Sequence, residues 1–203
     1  MQAVACETSC SQVAGTFLSL GPMIRLFAAL SLPEAICTPL LARQTGLAGA
    51  RWRPQVAFHI TLRFVGEIRE DLARDLDLEL EQIVLPSMSL RLDGVGAFGE
   101  GREIHAVWAG VSESPELSRL NKACERACRA VGIEADGRKY RPHVTLAYLR
   151  HPDPVDVAAW LETHALLKSE PFEVSRFGLY SSQLSPQGSR YRLEQTYDLE
   201  ATA

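Results

Sequence analysis

Lysine is scarce in this chain. Its 21 basic residues are 18 Arg and 3 Lys, and positive charge is short overall, with a net charge of −4. No general basic field is present to hold long nucleic acid. Five cysteines form no disulfide-framework spacing, which fits a reducing cytoplasm. Cys6/Cys10 and Cys124/Cys128 lack the two-residue gap of a zinc knuckle, and the second pair sits on an apolar helical stripe as core. No apolar run has the length of a membrane span. No Gly-x-Ser-x-Gly elbow and no Walker loop occur, so neither a serine hydrolase nor ATP use is indicated. No cofactor is implied.

A short phrase, by contrast, occurs twice. His59-Ile60-Thr61-Leu62 and His143-Val144-Thr145-Leu146 stand 84 residues apart. Both read as strands, in which side chains alternate between faces. Each therefore buries its aliphatic pair and presents an imidazole and a hydroxyl on the other face. Two such strands on one cleft supply an acid, a base and two oxyanion donors without a metal ion.

Domain-like patterning begins at Met23, and residues 1–22 read as a disordered or non-native leader without a signal peptide's positive start. Residues 23–203 read as one domain of two lobes. Ile24–Leu30 is an apolar strand, and Pro33 opens a helix to about Leu47. The first His strand closes at Gly66. Glu70–Val84 repeats leucine at helical spacing, and Met88–Phe98 reads as a strand. The same order of strand, helix, His strand, helix and strand recurs through Ile104–Val111, the helix from Pro115, the second His strand, Val155–Leu167 and Phe172–Tyr180. Arg190–Leu199 is a closing strand. The pattern predicts an α+β, bilobal, pseudo-twofold duplicated fold. Mixed or antiparallel sheets line a central cleft and helices pack outside.

These residues resemble the 2H phosphoesterase superfamily, and within it the RNA 2′,3′-cyclic phosphodiesterases, also called 2′-5′ RNA ligase-like proteins. The resemblance rests on Arg25-Leu26-Phe27-Ala28-Ala29-Leu30, the run His59–Gly66, Arg141–Leu146 and Gly188-Ser189-Arg190-Tyr191, and covers nearly everything from Met23 on. It implies metal-independent hydrolysis of 2′,3′-cyclic phosphate RNA ends to 2′-phosphates, with RNA 3′ ends or cyclic nucleotides as partners. It assigns His59 as proton donor and His143 as proton acceptor; the residues alone leave that order open. Thr61 and Thr145 are expected on the phosphate oxygens.

One position departs from the family pattern. In relatives the second motif runs into an Ala-Arg pair whose Arg grips phosphate, whereas this chain has Ala147-Tyr148. Arg150 is the expected substitute and Arg63 the second choice, with Tyr148 as a supporting hydroxyl or stacking surface. Trp52, Phe98 and Trp108 are further stacking candidates, with core packing favoured for Trp108. His105, His151 and His164 lack a Thr partner and read as surface or packing. The expected protein is a cytoplasmic monomer away from membranes. Two other readings stay open: a cyclic phosphodiesterase on a small nucleotide metabolite, and a non-catalytic RNA-end or nucleotide binder.

Overall fold

The computed structural model describes residues 22–201 except 186–187, so the leader lies outside the described residues. The chain runs β1 (Met23–Ser31), α1 (Glu34–Leu41), β2 (Arg51–Trp52), β3 (His59–Arg69), α2 (Glu70–Glu81), β4 (Met88–Leu90) and β5 (Leu92–Phe98). It continues through β6 (Ala106–Val111), α3 (Pro115–Ala130), β7 (His143–Tyr148), α4 (Pro154–His164), β8 (Phe172–Val174), β9 (Arg176–Ser185) and β10 (Gly188–Asp198). Pro115 and Pro154 each open a helix behind a capping side chain: Ser114 accepts from the Leu117 amide at 3.1 Å and Asp153 from the Val155 amide at 2.8 Å.

Seven strands lie in the order β10-β9-β1-β3-β7-β6-β5, β2 adds to β7, and β4 pairs with β8 apart; all these ladders are antiparallel. The two halves exchange their last strands. β5 pairs with β6 of the second half, and β9 with β1 of the first. This exchange makes one sheet from two lobes. The pseudo-twofold axis passes where β3 meets β7, at the pair Ile60 and Val144, both fully buried. Around them Leu30, Leu62, Leu146, Leu120 and Cys124 build a continuous apolar core between sheet and helices.

Element ends depart from the sequence reading by a few residues. α1 stops at Leu41, and β3 runs past Gly66 to Arg69. Gly66 has φ +88°, and Val65 is bulged out of the ladder with β1, so the strand bends without ending. Among the described residues, no helix is long and apolar enough to cross a membrane.

Candidate active site

β3 and β7 carry the site. Continuing the Ile60–Val144 register sets His59 against Thr145 and Thr61 against His143, one such pair on each side of the axis. The four side chains share the wall of one cavity of about 670 Å³.

The imidazoles are held alike. His59 Nδ1 lies 2.9 Å from the carbonyl of Ala57, and His143 Nδ1 lies 2.7 Å from that of Arg141. A carbonyl can only accept, so each Nδ1 keeps its proton and each Nε2 is left for substrate. Aromatic rings seat both. His59 packs on Phe27 and Tyr191, with ring centres 4.9 and 5.1 Å away. His143 packs edge-on to Phe98 at 4.8 Å, with Trp108 behind it. Trp108 lies flat over Gly96, where an added Cβ would meet the indole at 2.2 Å. Burial, then the charges of Arg53 and His143, push His59 down to about 4. Burial and the charge of Arg141 lower His143 as well. Both rings are therefore neutral near pH 7.

The Leu that follows each His-x-Thr is a β-bulge. Thr61 pairs with Ala29 and Arg63 with Ala28, skipping Leu62; Thr145 pairs with Trp108 and Ala147 with Val107, skipping Leu146. The strand alternation flips at both places. Phe64 and Tyr148 consequently join the histidines on the cavity face. Arg63 turns to the helix face instead, the opposite of a strict period-two reading. There it is buried, ion-paired to Glu125, and donates to the carbonyls of Phe64 and Glu134. It meets the cavity only at the end formed by α3, with its charge already matched.

Arg150 is not brought to the site. β7 ends at Tyr148, Leu149 turns inward, and Arg150 is exposed on a bend, away from the cavity wall. Tyr148 borders the cavity, as do Phe98 and His105, whose rings stack on each other at 6.3 Å. Trp52 packs on Trp160 and Trp108 stays behind His143, so neither borders the cavity. His164 packs on Trp160 as well.

The basic lining of the cavity was missed from sequence. Arg25, Arg53, Lys122, Lys139 and Arg141 border it without an ion pair among the described residues, beside the paired Arg63–Glu125 and Arg138–Asp136. Arg53 lies 7% exposed, in the hinge between β2 and the first motif. Its only signal in sequence was an Arg beside a Pro on the approach to the first His strand.

An antiparallel sheet whose two central strands bring paired His and Thr to one basic cavity defines a 2H phosphoesterase. The chain belongs to the 2′-5′ RNA ligase superfamily, whose family model matches residues 32–185. It is 28% identical over 172 residues to the RNA 2′,3′-cyclic phosphodiesterase of Archaeoglobus fulgidus, covering 83% of this chain and 97% of that protein. To the protein of the same name in Thermus thermophilus it is 30% identical over 189 residues, covering 87% and 90%. Among solved structures, TT0787 of Thermus thermophilus superposes with a TM-score of 0.73 at 26% identity, over 89% of this chain and all of that one. E. coli LigT complexed with 3′-AMP gives 0.72 at 25% identity, over 88% and 99%.

Proposed function

We propose that this enzyme opens 2′,3′-cyclic phosphate ends of RNA to 2′-phosphates, with His59 as proton donor and His143 as proton acceptor. The observation that carries the reading is the matched pair of imidazoles, each with Nδ1 tied to the carbonyl two residues back. Water attacks phosphorus and gives its proton to His143 Nε2. The bond from phosphorus to the 3′ oxygen breaks, and His59 Nε2 delivers a proton to that oxygen. A 2′-phosphate and a free 3′-hydroxyl result. Thr61 and Thr145 donate to the non-bridging oxygens, where charge grows. His59 needs a proton to act as acid. Burial and the charge of Arg53 act against that proton; an anionic phosphodiester offsets the charge of Arg53 and returns it.

The route uses no metal ion. We place the enzyme in the cytoplasm, where the buried thiols of Cys37, Cys124 and Cys128 stay reduced, and as a monomer, since one chain completes the cavity. The test is turnover of a short oligonucleotide ending in a 2′,3′-cyclic phosphate, in EDTA, with the product identified by ³¹P NMR. His59→Ala and His143→Ala should each lower turnover by roughly 10²–10⁴, and the double variant should be little worse than the worse single. A folded single variant that turns over normally removes that histidine from the mechanism. Turnover of a cyclic mononucleotide but not of the oligonucleotide would favour a small-metabolite enzyme.

A further inference from the structure

We propose that Arg53 is the phosphate-gripping guanidinium of this site, an assignment that rests on the phosphodiesterase reading. Four observations carry it. First, Arg53 is buried at the cavity wall, yet its Nη2 has no hydrogen-bond partner among the described residues. A buried guanidinium is costly unless paired, so one with an unpartnered donor at the wall of a cavity marks the place of an anion. Second, two of the other cations at the wall are taken, Arg63 by Glu125 and Arg138 by Asp136 at 2.7 Å, while Arg25 is half-buried and Lys122, Lys139 and Arg141 are exposed, so water can meet their charge. Third, the residue is fixed in place. Its amide donates to the Leu146 carbonyl at 2.8 Å, and Gln44 Nε2 donates to its own carbonyl at 2.7 Å. Fourth, the guanidinium lies over two tyrosine rings, 5.5 Å from the Tyr148 ring centre and 5.4 Å from that of Tyr191. Stacking of this kind orients the planar fork while leaving its edge free for oxygen.

The topology explains the placement. β3 leaves β7 after one residue pair, and β2 takes the vacated edge, with Arg51 against Tyr148 and Trp52 against Ala147. Trp52 packs inward on Trp160, so the next residue, Arg53, falls on the cavity side. There it lies close enough to His59 for its charge to bear on the imidazole. One guanidinium can then bind a non-bridging oxygen beside the group that protonates the leaving oxygen. Gln44 is a positioning residue for it, since the same Nε2 also reaches the Leu146 carbonyl at 3.3 Å.

The experiment measures binding of inorganic phosphate and of a nucleoside 2′-monophosphate by calorimetry, alongside kcat and KM on the cyclic oligonucleotide. Arg53→Leu should weaken both anions and lower kcat/KM by roughly ten- to a hundredfold. Arg53→Lys should recover part of this, and Arg150→Ala should bind phosphate like the wild type. Because the Tyr148 ring lies against Arg53, the double variant Arg53→Leu/Tyr148→Arg puts a guanidinium back in the same corner and should regain affinity. Wild-type phosphate affinity in Arg53→Leu overturns the proposal. So does a loss that neither Arg53→Lys nor the double variant repairs, because the defect is then structural. Should Arg53→Leu fail to fold, Arg53→Gln takes its place under the same criteria. If Arg53 governs phosphate binding but the wild type opens no cyclic ends, the grip stands and the activity reading falls.

Discussion

At the scale of single residues, the two histidines repeat each other in sequence and differ in surroundings. Both give Nδ1 to a carbonyl and rest on aromatic rings. Among the described residues, only His59 has a buried guanidinium without an ion pair close by, and it is the one pushed down to about 4. That depression has a consequence for stability. Between about 4 and the ordinary value of about 6.5, the unfolded chain binds the proton and the folded chain does not. Stability conferred at neutral pH is therefore lost as pH falls from about 6.5 towards about 4, by up to about 3 kcal/mol from this residue. Melting temperature measured against pH should drop across that window. Inorganic phosphate should make the drop shallower, because a bound anion raises the folded-state value. His59→Gln should do the same, with a remaining slope to which His143 and His164, both lowered by burial, contribute. An unchanged pH profile in His59→Gln would show that His59 titrates normally in the folded chain.

At the scale of elements, the deciding feature is the bulge at Leu62 and its twin at Leu146. Each bulged carbonyl has a partner outside the ladder. Asn121 Nδ2 donates to Leu62 at 2.7 Å, and the Arg53 amide donates to Leu146 at 2.8 Å, with Gln44 Nε2 at 3.3 Å. The bulges were not legible in the sequence, because a period-two pattern carries no mark where one residue is skipped. Hence Arg63, on the cavity face by alternation, proves to be half of a buried ion pair that ties β3 to α3. Arg63→Ala leaves Glu125 without its partner and removes the donor that the Phe64 and Glu134 carbonyls share. It should destabilise the fold by about 3 kcal/mol, read as a fall in denaturant midpoint, while the folded fraction keeps its affinity for phosphate. A fully stable Arg63→Ala that loses phosphate binding would instead return Arg63 to the substrate.

For the whole molecule, charge is sorted against the average. The chain is acidic at −4, yet its cavity is bordered by five basic side chains without ion pairs among the described residues. Lys122, Lys139 and Arg141 come from α3 and the loop before β7, and on the proposed function they are the candidates for the upstream phosphates of an RNA strand. Three such contacts predict that log kcat/KM for an oligonucleotide falls with log salt at a slope of about −2, and that a cyclic mononucleotide shows a much weaker dependence. Equal slopes for both substrates would confine recognition to the terminal nucleotide.

The sequence alone determined the duplicated order of elements, the two His-x-Thr strands and the aliphatic pairs they bury. Each follows from local periodicity and from a motif repeated at one offset. It also carried the departure at Tyr148, since that is a single letter in a fixed phrase. Tertiary structure decided which residues surround the cavity. The exchange of β5 and β9, the bulges after each Thr, and the short β2 that replaces β3 along β7 are long-range pairings. They set the facing of a side chain by which strand lies next to it, a quantity no local window of sequence contains. Arg150, close to the motif in sequence, ends outside the cavity for that reason. Arg53, from the far side of the chain's first turn, ends inside it.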